Sequence, residues 1–271
     1  MIRHLLAACL AVLVAQPAAA QLRQSHCIAL ADAAPGIQYL HKASFGAPLE
    51  DFAVRLNYVA HATFVLETPE GATAATDYTG FLGSADFVPD VVTMNIAHST
   101  HWTPNPDPRI PHVLRGWDVA GAARDHYLTV ADMLVRNVPT DIRGGMDGRR
   151  EDGNSIFIFE VGGLCIGHLG HLHHEPSEDQ YAAIGRLDVV MAPVDGGFTL
   201  PQETLVRMLT RMRSSLVIPM HWFGGHTLDR FLTRMEADFA IERTGDSFTE
   251  VSLRTLPDRP TVRVLRPRYL E

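Results

Sequence analysis

The sequence predicts an α/β sandwich: two β-sheets packed face to face, with helices on the outside. Three observations carry this expectation. From residue 53 to about residue 166, nearly every apolar run has the length and alternation of a strand. From residue 176 onward, apolar strand runs alternate with amphipathic helices. Three strands far apart in the chain each end in histidine, at His98 and His101, at His168 to His174, and at His221. The frame therefore aims one residue type at one place.

The first twenty residues are set apart from the fold. Arg3 and His4 precede an apolar run from Leu5 to Ala15, and Ala18-Ala19-Ala20 is a small-residue cleavage site. Residues 1–20 read as a signal peptide cleaved near Ala20, giving a periplasmic or secreted product. The apolar run is too short to span a bilayer, so no stable membrane insertion is expected. Residues 21–50 form a lead-in broken by Pro35-Gly36 and Gly46-Ala47-Pro48, with a short helix expected near residues 37–41. One domain then runs over residues 51–271.

Within that domain, residues 53–59 alternate as a strand, residues 62–67 form a second, and residues 72–77 a third after the turn Thr68-Pro69-Glu70-Gly71. Residues 89–96 are a nearly continuous apolar strand that delivers His98 and His101. Residues 102–125 are rich in Pro, Gly and Trp and read as a long loop of the kind that is functional or mobile. Residues 126–138 read as two short strands ending at Pro139-Thr140-Asp141, and residues 143–153 as a polar loop. Residues 155–161 and 164–166 are two buried strands joined at Gly162-Gly163. The second runs into a segment holding four of the chain's 14 histidines.

Residues 176–187 read as a helix, opened by a capping box of Ser177 and Gln180. A buried strand follows at residues 188–194. Residues 201–213 are amphipathic, with Leu205, Met208, Leu209 and Met212 on one face. Residues 215–220 form the strand before His221. Leu228, Phe231, Leu232 and Met235 repeat the helical spacing, and two strands near residues 248–253 and 261–265 close the chain.

The formal net charge of -8 argues against general nucleic-acid binding. Beyond residue 20 the chain has two cysteines, Cys27 and Cys165. Export would permit a disulfide between them. The position of Cys165 inside a strand favours a buried small hydrophobe instead. Taken singly, the histidines have ordinary readings: His98 and His101 as loop residues, His221 as a structural residue. Their convergence from separate strands points to a metal, which takes three or four such ligands from different elements.

At these residues the chain resembles the metallo-β-lactamase-fold hydrolases, in the branch of L-ascorbate-6-phosphate lactonase and N-acyl-phosphatidylethanolamine phospholipase D. The segment Tyr58 to Glu67, with His61-Ala62-Thr63, is similar to that branch's Gly-His-Ala-Thr strand. Thr76-Asp77 resembles its Thr-Asp-Pro. Ser155 to His174 resembles its Asn-Ser/Thr-Ile-Phe segment, which leads to His-Leu-Gly-Asp-Leu-Gly-His. Val194 to Thr199 and Ile218 to His221 resemble its last two motifs. The resemblance covers about residues 53–235 and implies a four-layer αββα sandwich with the metal site at one edge of the sheets.

The same resemblance exposes departures. Where the family has His-x-His-x-Asp-His, this chain has Ile96-Ala97-His98-Ser99-Thr100-His101. The family's bridging Asp falls on His171, and a further ligand His falls at Asp141-Ile142. The usual carboxylates are missing, so two cations held close together would lack anionic compensation. The expectation is one zinc ion, with His98, His101, His171, His221 and Asp141 as the candidate ligands. His168 and Asp195 are the candidate proton-transfer groups. His61 is expected to line the floor of the site, Asp77 to hold the His98–His101 loop, His168 and His174 to stand behind the ligands or line the pocket, and His173 to be exposed. The expected activity is metal-assisted hydrolysis of an ester, lactone, amide or phosphodiester in a small-molecule substrate. The alternative is a non-catalytic periplasmic metal- or ligand-binding protein, with a site closed by His98, His101, His171 and His221. Oligomeric state is left open.

Overall fold

A computed structural model describes residues 23–29, 45–117, 125–145 and 148–271. The expected signal peptide, the helix expected at 37–41, most of the lead-in and part of the long loop lie outside the described residues. The strands are β1 (Val54–Ala60), β2 (Thr63–Glu67), β3 (Thr73–Ala75), β4 (Val91–Met94), β5 (His112–Arg115), β6 (Tyr127–Val130) and β7 (Met133–Arg143). They continue as β8 (Arg149–Val161), β9 (Leu164–His168), β10 (Val189–Pro193), β11 (Leu216–Met220), β12 (Ala240–Arg243), β13 (Phe248–Val251) and β14 (Thr261–Val264). The helices are α1 (His26–Ala29), α2 (Glu178–Ile184), α3 (Gln202–Met212) and α4 (Gly225–Met235).

One sheet has the order β13-β1-β2-β3-β4-β5, the other β12-β14-β11-β10-β9-β8-β7-β6. The two pack face to face, as the sequence predicts. Strands β9, β10 and β11 show why their runs are apolar without alternation. Ile166, Met191 and Ile218 enter the core between the sheets, while Cys165, Val190 and Val217 pack under α2, α3 and α4. Both faces of these strands are covered, and β9, β10 and β11 run parallel. The outer face of the smaller sheet is covered, among the described residues, by loop side chains including Phe45, Trp102 and Trp117.

Helix α2 opens with the expected capping box: Ser177 accepts from the Gln180 N–H and Gln180 from the Ser177 N–H. The helix ends at Ile184, three residues short of the expected boundary, where Gly185 adopts a positive φ. A Cβ there would fall 2.6 Å from the Cys27 carbonyl oxygen, so this turn needs glycine.

Several expectations are corrected. Most of the polar stretch 143–153 is strand: Arg143 pairs with Arg149 and Ile142 with Arg150, with a register shift between Thr140 and Ile142. Its charged residues are poor strand formers, but an exposed antiparallel ribbon needs no apolar face. The expected loop 102–125 contains β5, whose parallel pairing with β4 is non-local. Strand β12 is four residues at an edge, too short to show a period. Cys165 is not a free buried thiol but is bonded to Cys27, 138 residues away in sequence. The disulfide ties the α1 segment to β9, the strand that leads into the histidine segment.

Candidate metal centre

The ends of β4, β9, β10 and β11 and the β1–β2 turn meet at one edge of the sandwich. The turn supplies His61, the loop after β4 supplies His98 and His101, β9 leads to His171, β10 to Asp195, and β11 to His221. Backbone hydrogen bonds hold the pieces together. The His221 N–H donates to the His61 carbonyl at 2.9 Å, and the Tyr58 hydroxyl donates to the same oxygen at 2.8 Å. His61, Asp77 and His221 all have positive φ, at 42°, 42° and 58°. Such conformations cost non-glycine residues about 1–3 kcal/mol each and tend to collect at functional sites.

His61, His101 and His221 bring one ring nitrogen each to within 4.8 Å of one another. His101 and His221 are buried, and their Nε2 atoms face each other at 3.2 Å. Behind His101, Asp77 Oδ2 stands 2.5 Å from Nδ1. Behind His221, Asp195 Oδ2 stands 3.1 Å from Nδ1 without making a hydrogen bond to it. A carboxylate behind an imidazole fixes the ring and turns the far nitrogen into a good donor to metal. Two such lone pairs at 3.2 Å repel unless a proton or a cation lies between them. The Nε2 of His61 is buried without a partner. Three neutral imidazoles, two backed by carboxylates, match the chemistry of a divalent cation site.

For the imidazoles, electrostatics agree in direction with neutral rings. Burial, then the neighbouring His221 and His101, push His61 down to about 3. Burial, then His221 and His98, hold His101 well below the usual imidazole range. Burial pushes Asp77 up to about 7 against the opposing influence of His168 and the Asn95 N–H. Asp77 Oδ1 also accepts that N–H at 2.9 Å, which fixes the carboxylate to β4.

Of the expected ligands, His101 and His221 come together. The third member of the group is His61, which the sequence reading placed on the floor of the site. Its signal was available in the His61-Ala62-Thr63 segment, but a single histidine at a hairpin turn carries no ligand spacing. His171 stands beside the group, with ring centroids 4.8 Å from His101 and 5.0 Å from His221. His98 is exposed, bonded through Nδ1 to Thr100 and stacked 5.6 Å from the His171 ring. The four-histidine closure is thus not formed. Asp141 is engaged by Arg149 and by the Asp152 N–H and takes no part in the histidine group. Ile142, at the adjoining position, is buried.

The two proton-transfer candidates are also corrected. His168 is fully buried with both nitrogens used: Nε2 donates to the Ala62 carbonyl at 2.7 Å, and Nδ1 accepts the Gly170 N–H at 3.2 Å. It is a structural tie with no atom left for a shuttle. Asp195 Oδ1 accepts the N–H groups of Gly197, Phe198 and Thr199, and Oδ2 accepts the Thr199 hydroxyl. Burial alone would raise its pKa. The close approach of His221 and the hydrogen bonds from Thr199 and the backbone outweigh burial and hold the carboxyl well below the usual range. Such a carboxylate is a weak base, and its hydrogen bonds go to the loop from Gly197 to Thr199.

His173 is half-buried, against the expectation of exposure. Its Nε2 lies 2.7 Å from His171 Nδ1, and its Nδ1 accepts the Arg143 N–H at 2.8 Å. Above the group opens a cleft of about 650 Å³, lined by His98, His171, His221, Arg143, Phe198 and Phe223 among others. Phe198 and Phe223 are each 65% exposed and touch edge to face, with ring centroids 5.4 Å apart. Arg143 donates to the carbonyls of Gly197, Phe198 and Thr199. The loop carrying Phe198 is therefore pinned through its N–H groups by Asp195 and through its carbonyls by Arg143.

The sequence profile of a family described as Beta-lactamase superfamily domain matches residues 55–221. A metal-dependent hydrolase of Pyrococcus horikoshii, named as UPF0173, is 24% identical over 190 residues, 62% of this chain and 84% of that protein. A solved structure from Thermotoga maritima, described as a Zn-dependent hydrolase of the metallo-β-lactamase superfamily, is 26% identical with a TM-score of 0.57. The match covers 78% of this chain and 98% of that one. A metallo hydrolase of Ignicoccus hospitalis shares the fold at 17% identity and a TM-score of 0.54, over 79% of this chain and 96% of that one.

Proposed function

The chain belongs to the metallo-β-lactamase superfamily, and from that premise we propose that it is a metal-dependent hydrolase with one zinc ion held by His61, His101 and His221. The observation that carries the reading is the pair of imidazole Nε2 atoms facing at 3.2 Å, with a carboxylate behind each ring and His61 completing the group. The names of the relatives from Pyrococcus horikoshii and Thermotoga maritima support a metal and hydrolysis. The order of the motifs supports the branch of L-ascorbate-6-phosphate lactonase and N-acyl-phosphatidylethanolamine phospholipase D.

A divalent ion bound there would supply Lewis acidity, polarising a scissile carbonyl or phosphoryl group and acidifying water. The protein's own groups do the rest. Asp77 keeps His101 in one orientation through Nδ1, and Asp195 places its negative charge 3.1 Å from Nδ1 of His221. The loop from Gly197 to Thr199 hangs on Asp195, so the aromatic rim of the cleft is built on the same carboxylate as the ligand. Among the described residues, Arg143 makes no ion pair with a carboxylate and lines the cleft. The substrate in this reading is a small molecule with an apolar group against Phe198 and Phe223 and an anionic group toward Arg143.

Export belongs to the same proposal. The apolar stretch at residues 5–15 and the Cys27–Cys165 disulfide both suit an oxidising compartment. Among the described residues no helix is long and apolar enough to cross a membrane.

The test is elemental analysis of periplasmically expressed protein beside a His221→Ala variant. About one equivalent of zinc per chain, lost in the variant, is expected. Wild-type protein without metal after zinc dialysis would defeat the reading. With metal established, a screen of lactones, carboxylic esters and phosphodiesters identifies the bond.

A further inference from the structure

The sequence aligns His171 with a metal-ligand position, and the hydrogen bonds around it say otherwise. The backbone N–H of Arg143 donates to His173 Nδ1 at 2.8 Å. An atom that accepts a hydrogen bond carries no proton. A neutral His173 therefore carries its proton on Nε2. That atom lies 2.7 Å from His171 Nδ1, so His173 donates and His171 Nδ1 accepts. By the same logic the proton of His171 sits on Nε2. The direction of the chain is set at its start by a peptide N–H, which cannot reverse. For His171 to bind a metal through Nε2, its proton would have to move to Nδ1. His173 would then need a bare nitrogen at both positions, which is an imidazolate.

The Nε2 of His171 has no partner among the described residues, is not sealed from solvent, and belongs to a ring that lines the cleft. The ring stands 4.8 and 5.0 Å, centroid to centroid, from two members of the proposed metal group. We infer that His171 is a fixed N–H donor to an oxygen of the substrate, and that the Arg143–His173 relay is the device that fixes its tautomer. His171 is thus a candidate catalytic residue, and His173 is a positioning residue. A donor held in place beforehand suits an oxygen on which charge develops during hydrolysis. This role rests on the hydrolase reading for its purpose, but the tautomer itself does not.

The experiment is long-range proton–nitrogen correlation NMR on full-length protein labelled with ¹⁵N-histidine, with and without one equivalent of zinc. The expected result is His171 protonated at Nε2 and bare at Nδ1 in both states. His173→Leu should release the preference and populate the Nδ1–H form. His173→Gln, whose side-chain amide can donate in the same direction, should restore it. Inorganic phosphate, added as an oxygen-acceptor probe to the zinc-loaded protein, should move the Hε2 resonance of His171 downfield in wild type and much less in His173→Leu. A proton on Nδ1 in wild type, a zinc-bound Nε2, or no response to phosphate would each overturn the inference. Zinc affinity gives a second readout: His171→Phe should change it by less than about threefold, whereas loss of a group that merely orients a ligand costs about 10–100-fold and loss of a ligand costs more. A protein that binds no zinc would end the hydrolase reading, while the tautomer measured without metal still decides the relay.

Discussion

Two buried polar clusters lie at opposite ends of β9, and they are built on opposite rules. At one end, Glu160 accepts from the Ser25 hydroxyl at 2.5 Å, the His26 N–H at 3.0 Å and Arg136 Nε at 2.7 Å. Arg136 Nη1 and Nη2 donate to the carbonyls of Ala183 and Ile184 at the end of α2. All three Arg136 side-chain nitrogens meet an acceptor, and the Cys27–Cys165 disulfide closes the same corner. At the other end, imidazole nitrogens face each other, His61 Nε2 lacks a partner, and three residues hold positive φ. A buried polar cluster that satisfies itself is structural. One that sets two imidazole nitrogens face to face calls for a proton or a cation between them, the place of the proposed zinc ion.

The comparison breaks most severely at the satisfied end. Glu160→Ala should cost about 3–5 kcal/mol, because it leaves the Arg136 charge buried without its carboxylate. Urea denaturation read by fluorescence checks this, and a cost under 1 kcal/mol would mean that the cluster is not structural. The same carboxylate predicts a pH dependence. Burial raises its pKa, but Arg136, Ser25 and His26 together lower it below the ordinary value. Its stabilisation is therefore complete above the unfolded carboxylate pKa of about 4.3 and is lost as pH falls through the lower folded value. In Glu160→Gln the acid limb of the stability curve should flatten.

At the open end the loss should appear in metal binding and not in folding. His221→Ala should weaken zinc binding more than about 100-fold, equivalent to about 2.7 kcal/mol, measured by chelator competition. Without added zinc, its denaturation midpoint should stay close to wild type or rise, since a buried ring crowded against a like nitrogen is removed. Asp77→Asn keeps the shape and removes the charge behind His101. Its effect should be smaller, on the order of 10-fold in zinc affinity, as for other groups that orient a ligand. An unchanged affinity in Asp77→Asn would separate His101 from the metal and sink the three-histidine assignment.

The difference between the clusters also explains what could be read from the sequence. The sandwich was legible because the apolar runs of β9, β10 and β11 reflect burial on both faces, a property each strand carries in its own residues. His101 and His221 were legible because each closely follows such a run. His61 was not, since its place in the group comes from a hairpin turn hydrogen-bonded to the residue after β11. His168 and Asp195 were found as residues but assigned the wrong chemistry, because saturation of their hydrogen bonds is a three-dimensional fact. The disulfide was equally out of reach, with its two halves 138 residues apart. Asp141 looked like a replacement ligand beside Ile142, and only the ribbon of β7 and β8 shows it tied to Arg149 and Asp152.

The smallest expected effect tests what the open cluster is open to. Phe198 is 65% exposed, so Phe198→Ala should change folding stability by no more than about 0.5 kcal/mol. Its ring packs edge to face on Phe223 at the cleft mouth, and the loop beneath is held by Asp195 and Arg143 through backbone atoms that the substitution leaves in place. The backbone should therefore hold and only the apolar wall should recede. If substrates lean on that wall, the ratio of kcat/KM for p-nitrophenyl octanoate over acetate should fall about three- to tenfold in Phe198→Ala, mostly through KM. A ratio that stays at the wild-type value would mean that the exposed aromatic pair serves something other than the substrate, and that the cleft selects by Arg143 and the histidines alone.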